Sequence, residues 1–131
     1  MKGFADNIEK LTEDNDDFRR VLYTGKNLQL VLMTIQPDEE IGEETHEDRD
    51  QFFRIEAGQG EIWIDGVANK VKADDGIIVP AGAKHNVLNN GSGPLKLYTI
   101  YGPPEHREGT VHATKADADA SHEHFDGQTT E

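Results

Sequence analysis

The sequence predicts an all-β protein, built as a sandwich or barrel of short strands. Its apolar segments are only a few residues long, and turn signals separate them about every ten residues. These intervals leave no room for the crossover helices of a βαβ fold. The chain has 131 residues, which is the length of one domain. We therefore expect a single domain over residues 1–131.

The N-terminal part predicts one short helix followed by a pair of strands. Phe4 to Leu11 can form one or two helical turns, too short to be stable alone. Val21 to Tyr23 and Leu28 to Ile35 read as strands joined by a turn over Thr24 to Asn27. Leu28 to Ile35 carries apolar side chains on both faces of the predicted strand. We therefore expect this strand to be covered on both faces, or on one face by a partner chain.

The remaining strands are short and each ends at a recognisable turn. Asp65-Gly66 is a strong signal for a two-residue hairpin between two of them. The predicted strands are Gln51 to Glu56, Glu61 to Ile64, Val67 to Lys72, Ile77 to Val79, His85 to Leu88 and Leu95 to Tyr101. The predicted barrel thus occupies about residues 18–102.

Residues 103–131 form a C-terminal tail of different composition. Thr114 can cap a helix over Lys115 to Phe125, with Gly127 as its stop. Because this segment is acidic and short, we expect the helical tail to be only marginally stable alone.

Charge and composition exclude several classes of partner and chemistry. Lys and Arg number 13 against 26 Asp and Glu, so the formal net charge of −13 argues against nucleic acid and anionic membranes as partners. The absence of cysteine excludes disulfides, thiolate metal sites and a cysteine nucleophile. There is no apolar stretch long enough to span a membrane and no pattern of a signal peptide near Met1, so we expect a soluble cytoplasmic protein.

Two histidines lie among the predicted strands, and carboxylates accompany one of them. Side chains two positions apart on a strand share a face, so His46 can point with Glu44 or with Asp48. If His85 joins them, two imidazoles and one carboxylate form a facial triad with open coordination positions. This donor set suits a divalent Fe, Mn, Ni, Zn or Co ion. No role is assigned to the histidines of the tail, which are His106, His112, His122 and His124.

The segment around His85 resembles the second sequence motif of the cupin superfamily, in which a glycine and a strand precede P-x-G-x-x-H-x-x-x-N. Pro80, Gly82, His85 and Asn89 take the motif positions, and Gly76 lies near the position of the leading glycine. Proline and glycine make the tight turn that directs the histidine into the mouth of the barrel.

The first cupin motif, H-x-H followed by a glutamate and a glycine, is matched with two departures. Counted back from Gly58, its glutamate position holds Gln51 and its second histidine is His46. Its first histidine position then holds Glu44. The resemblance implies a metal site of Glu44, His46, Gln51 and His85. An alternative register that uses Asp48 resembles the oxoglutarate-dependent oxygenases, which share a jelly-roll core, and it ranks second.

The resemblance covers Leu28 to Tyr101 and looks like that of small single-domain bacterial cupins. It implies a double-stranded β-helix, commonly a homodimer, with a metal that holds a small-molecule substrate or ligand. The leading hypothesis is a small metal-dependent enzyme, dioxygenase-like or isomerase-like, with no catalytic residue assigned beyond the metal ligands. The alternative is a non-catalytic cupin that binds or senses a small ligand. The acidic run from Asp38 to Asp50 should favour metal entry and discourage strongly anionic substrates.

Overall fold

Two antiparallel β-sheets and two short helices make up the computed structural model, which describes Met1 to Glu131. The all-β prediction is confirmed, and the architecture is that of a double-stranded β-helix. Short helices lie near both ends of the chain, as predicted. The elements are α1 (Ile8–Asp14), β1 (Arg19–Thr24), β2 (Gln29–Ile35), β3 (Glu44–Thr45), β4 (Asp50–Ala57), β5 (Gln59–Ile64), β6 (Val67–Lys72), β7 (Gly76–Val79), β8 (Lys84–Leu88), β9 (Leu95–Gly102), β10 (Val111–His112) and α2 (Lys115–Asp119).

The two sheets face each other across the core. The larger has the strand order β10-β1-β2-β9-β4-β7, and the smaller has the order β3-β8-β5-β6. All neighbouring strands pair antiparallel. On β4, the alternation places Gln51, Phe53 and Ile55 inside the barrel, at 4%, 1% and 1% exposure. The inner surface thus mixes apolar packing with a few buried polar side chains.

Strand β2 is covered on its inner face by the core and on part of its outer face by α1. Val31 and Met33 belong to the core cluster. Leu32 points the other way and is still only 2% exposed, because α1 packs across β2, β4 and β9 on that side. Leu28, just before the strand, is 55% exposed. The predicted burial of β2 on both faces is therefore found for one half of the strand only.

Two turns depend on residues with positive φ. Asp65 (φ 47°) and Gly66 (φ 83°) close the predicted hairpin between β5 and β6. Gly58 (φ 85°) joins β4 to β5, and a Cβ atom there would lie 2.4 Å from the carbonyl oxygen of Pro94. This position therefore requires glycine on both conformational and steric grounds.

Both helices differ in extent from the sequence prediction. Helix α1 begins at Ile8 rather than at Phe4, because the Asn7 side chain accepts a hydrogen bond from the backbone N–H of Lys10 and caps the helix there. Thr114 caps α2 through a capping box, as predicted. The helix stops at Asp119 instead of continuing to Phe125.

The segment after α2 runs back along the barrel and bonds to the loop that follows β9. The backbone N–H of Phe125 donates to the carbonyl of Glu105 over 2.9 Å, and the backbone N–H of Arg107 donates to the Glu123 carboxylate over 2.8 Å. These contacts replace the helical hydrogen bonds that the predicted longer helix would make. No helix is long and apolar enough to cross a membrane.

Candidate metal centre

Glu44, His46 and His85 converge at one end of the barrel interior. Their possible ligand atoms all lie within 4.8 Å of one another. Strand pairing produces this arrangement, because Glu44 on β3 stands directly opposite His85 on β8. His46 follows β3 by one residue and lies on the same side as Glu44, as the two-residue spacing predicts. The grouping supplies two imidazoles and one carboxylate.

The turn before β8 fixes the orientation and the protonation of His85. Gly82 adopts a φ of 89°, and its N–H donates to the carbonyl of His46 over 2.8 Å, which ties the two histidine-bearing segments together. His85 is 5% exposed, and its Nδ1 lies 3.1 Å from the carbonyl oxygen of Ala83. Because a carbonyl can only accept, Nδ1 carries the hydrogen, and Nε2 is left as a lone-pair donor suited to a metal.

Two buried polar atoms among the predicted ligands have no hydrogen-bond partner. Gln51 uses its Nε2 to donate to Thr99 Oγ1 over 3.0 Å, while its Oε1 is unpartnered. His46 Nε2 lies 2.9 Å from Glu44 Oε2 without the alignment of a hydrogen bond, so it too is unpartnered. Leaving such a buried group unsatisfied costs roughly 1–3 kcal/mol. A cation is the partner that such unpaired oxygen and nitrogen atoms lack, and Glu44, His46 and His85 already converge, so the residues present fit a metal.

The charges of the site favour a cation in the same way. Burial acts to raise the pKa of the Glu44 carboxyl, but His46, Arg19 and His85 outweigh it and lower that pKa below its ordinary value. Burial acts to lower the pKa of His46, yet the carboxylates of Glu44 and Glu105 outweigh it and raise that pKa. The Glu44 carboxylate therefore stabilises the positively charged form of His46, as it would stabilise a bound cation.

The remaining predicted residues occupy different surroundings. Gln51 lies on the inner face of β4, opposite Tyr101 on β9, and the Tyr101 ring centroid is 5.8 Å from that of His46. Asp48, the carboxylate of the alternative register, has a side chain that is 74% exposed and pairs with Arg49. It does not join the group formed by Glu44 and the two histidines.

A salt bridge outside the ligand group supports His46. Glu105 Oε2 lies 3.5 Å from His46 Nδ1, and Arg49 Nη1 donates both to Glu105 and to the carbonyl of Pro104. A carboxylate on the second nitrogen of a ligating histidine fixes its ring orientation. This contact cannot be predicted from sequence, because Glu105 lies far along the chain in the loop after β9.

A hydrogen-bonded chain leads from the metal centre into the tail. The buried Tyr101 hydroxyl lies 3.3 Å from His106 Nε2, and His106 Nδ1 lies 2.6 Å from Glu123 Oε1. Burial raises the pKa of Tyr101 well above its ordinary value. Burial also acts to raise the pKa of Glu123, but hydrogen bonds from His106 and the backbone N–H of Arg107 lower it to about 2. His106 and Glu123 were assigned no role from the sequence.

The tail also delivers His112 to the inner face of the larger sheet. His112 on β10 stands opposite Arg19 on β1, and both side chains are 7% exposed. Arg19 Nη1 donates to His112 Nδ1 over 3.2 Å. Arg19 lies two residues before the core residue Val21 on the same strand, so both side chains project from the same face. This spacing is the one sequence signal that could have placed the arginine inside.

Comparison with known proteins gives relatives that share this fold. The cupin domain family matches residues 31–101. The uncharacterized protein YrkC of Bacillus subtilis is 48% identical over 126 residues, which is 92% of this chain and 68% of YrkC. The uncharacterized protein L612 of Acanthamoeba polyphaga mimivirus is 40% identical over 110 residues, which is 80% of this chain and 68% of L612.

Solved structures agree. BH2720 from Bacillus halodurans superposes with a TM-score of 0.90 at 48% identity, and the match covers 92% of this chain and 96% of BH2720. A predicted oxalate decarboxylase from Thermotoga maritima superposes with a TM-score of 0.57 at 23% identity, covering 60% of this chain and 68% of that one, which is a likeness of fold alone. The strand topology, the matched region and these relatives together show that the chain belongs to the cupin family.

Proposed function

We propose that this cupin is a small metal-dependent enzyme that holds a divalent transition metal through Glu44, His46, Gln51 and His85. The observation that carries the proposal is the convergence of two imidazoles and a carboxylate, whose ligand atoms lie within 4.8 Å of one another. The buried Oε1 of Gln51, which has no hydrogen-bond partner, supports its assignment as the fourth ligand. Four donors leave room for a small organic molecule at an open position of the metal. The mixed nitrogen and oxygen donors suit Fe, Mn, Ni, Zn or Co.

Each protein group then has a definable task. A metal bound there would supply Lewis-acid or redox chemistry to an oxygen of the substrate. The barrel wall excludes water, since His85 and Gln51 are at most 5% exposed. Glu105 orients His46. The Tyr101 hydroxyl lies 3.3 Å from His106 Nε2 and donates to it, so its oxygen is a hydrogen-bond acceptor near that position. An open metal position beside such a group suits dioxygenase-like or isomerase-like chemistry.

Metal content and its dependence on single residues test this proposal. The protein is purified without added metal and without a nickel column, its metal is measured by mass spectrometry, and zinc and manganese affinities are measured by titration. We expect Glu44→Gln and His85→Ala to lose the metal. Asp48→Asn is the matched control, because it neutralises a carboxylate two residues from His46 that points to solvent, and it should bind as wild type does.

The opposite pattern, with metal kept in Glu44→Gln and lost in Asp48→Asn, would contradict the assignment and favour the other register. Failure of the wild type to bind any divalent transition metal would refute the function. Oxygen uptake and isomerisation assays on the loaded protein then separate an enzyme from a ligand-binding cupin, which would bind without turnover.

We also propose that two chains form a homodimer through the part of the larger sheet's outer face that α1 leaves uncovered. Leu28 and Ile78 are 55% and 68% exposed there. Together with Phe52 and Ile100 they line a shallow groove of about 310 Å³. Apolar side chains on an otherwise acidic surface are typical of a contact between protein chains.

A further inference from the structure

Arg19 is a buried cation that the protein itself leaves largely unpartnered. It is 7% exposed and is the only lysine or arginine among the buried residues. Its one side-chain hydrogen bond is from Nη1 to the neutral acceptor His112, and its Nε is buried without a partner. A buried charge is stable only when paired and hydrogen-bonded, so an anion is missing from its surroundings.

Three of the other four arginines have carboxylate partners although they are more exposed. Arg20 pairs with Asp17, and Arg54 pairs with Glu56. Arg19 and Arg20 are neighbours on β1, with Arg20 on the outer face and Arg19 on the inner face. The two arginines therefore differ in the face of the sheet from which they project. Arg19 projects from the inner face, which is also the face of the metal centre.

The guanidinium of Arg19 shares the barrel interior with the metal centre. Strand pairing sets it between Met33 and His112, both buried. Against the raising effect of burial, its charge is among those that lower the pKa of Glu123. Glu123 lies 2.6 Å from His106, and His106 contacts the hydroxyl of Tyr101, whose ring is next to that of His46. The neighbouring carboxylates have nearer partners, since Glu44 lies against His46, Glu105 against Arg49 and Glu123 against His106.

We propose that Arg19 binds a carboxylate of the substrate, and that the substrate is a small organic acid held between Arg19 and the metal. This inference rests on the proposed function. A divalent cation bound by the single carboxylate of Glu44 keeps one positive charge, and Arg19 adds a second. A dicarboxylate, or a carboxylate with a second oxygen donor, balances both charges and fills the donors that Arg19 leaves unused.

The acidic run before β4 does not oppose this substrate class. Of its members, Glu44 is the one that joins the interior group, while Asp48 is turned to solvent and paired with Arg49. Exposed carboxylates are screened by salt and weigh little against a buried guanidinium. The sequence-based expectation that strongly anionic substrates are disfavoured rests on the whole acidic run, whereas this proposal concerns the side chains that face the barrel interior.

Binding of simple acids to the zinc-loaded full-length protein tests the proposal. Oxalate, malonate and succinate are titrated by calorimetry into wild type, Arg19→Gln, Arg19→Lys and Arg20→Gln, with the corresponding diamides as neutral probes. We expect at least one acid to bind, its diamide to bind at least tenfold more weakly, and Arg19→Gln to weaken that acid at least tenfold. Arg19→Lys should recover part of the loss, and Arg20→Gln should match wild type.

The outcomes separate this proposal from the metal assignment. Zinc affinity in Arg19→Gln should equal that of wild type, since Arg19 is not a ligand. Zinc binding without any acid binding, or equal acid affinity in wild type and Arg19→Gln, would overturn the carboxylate role and leave the metal site standing. Should Arg19→Gln not fold, equal affinity of acid and diamide in the wild type would overturn the proposal. A tenfold preference for the acid in the wild type, which Arg19→Lys keeps only in part, would support it.

Discussion

Replacement of Gln51 by Glu tests whether the fourth predicted ligand contacts the metal. The glutamine is neutral where the family pattern has a carboxylate, and its Oε1 is buried without a partner. Gln51→Glu keeps the shape and turns this oxygen into part of an anion. If Gln51 is a ligand, we expect tighter metal binding and a less stable metal-free protein.

The magnitude follows from the contacts of Gln51. The substitution removes the N–H that donates to Thr99 Oγ1 over 3.0 Å and places a carboxylate on the buried inner face of β4. Because Thr99 already donates to the carbonyl of Phe52, its lone pair would face the new carboxylate. Loss of one buried hydrogen bond costs roughly 1–3 kcal/mol, which is the expected destabilisation without metal.

With metal bound, we expect Gln51→Glu to be favourable instead of destabilising. Opposite unit charges about 4 Å apart attract by about 4 kcal/mol at an effective dielectric constant of about 20, and a divalent ion doubles this. Desolvation of the new carboxylate offsets several kcal/mol of that gain. We expect at least a tenfold gain in zinc affinity, which corresponds to about 1.4 kcal/mol.

Competition against a chromogenic chelator measures the affinity, and urea unfolding of the metal-free protein measures the stability. Gln59→Glu adds the same charge at an exposed position and should leave both unchanged. Unchanged zinc affinity in Gln51→Glu, in a protein that Glu44→Gln strips of metal, would refute coordination by Gln51.

Two other predictions concern the tail and the outer face of the larger sheet. The pKa of Glu123 is lowered to about 2 from 4.5, so its ionised form adds about 3 kcal/mol of stability that is fully present above pH 4.5 and is lost as pH falls towards 2. Urea unfolding should show a lower free energy of unfolding for Glu123→Gln than for wild type at pH 7, and this difference should narrow below pH 4.5. The exposed control Asp126→Asn should show no difference. A difference that stays constant with pH would contradict the ion pair. Ile78→Glu should convert dimer to monomer in light-scattering chromatography, whereas Val67→Glu, 61% exposed on the other sheet, should not; a wild-type monomer would contradict the dimer.

The barrel could be predicted from sequence because its signals are local. Asp65-Gly66 closes a hairpin wherever apolar alternation flanks it, and Gly58 and Gly82 stand where the backbone needs positive φ. Helix ends were less accurate, because the end of α2 is decided by hydrogen bonds between the tail and the loop after β9. Those contacts join residues that no short window of sequence contains.

Within the candidate site, spacing was informative only for ligands near one another or inside a motif. The two-residue interval between Glu44 and His46 fixed their common side, and the turn before His85 fixed its direction. The two-residue spacing around His46 allowed either Glu44 or Asp48 as the carboxylate, and the register of the cupin motif ranked Asp48 second. The structure places Asp48 in solvent beside Arg49, because the chain leaves β3 and turns before β4 begins.

The sequence by itself determined the all-β class, the family and the histidines that could meet around a cation, since alternation and turn chemistry act over a few residues. Only the tertiary structure decided what surrounds them. Arg19 lies on β1, Tyr101 and His106 lie at the end of β9 and in the loop after it, and Glu123 lies in the tail after α2. Closure of the barrel and docking of the tail bring them together. Their burial, and so their charge and hydrogen bonding, depends on which side of a sheet faces the interior when strands distant in sequence pair.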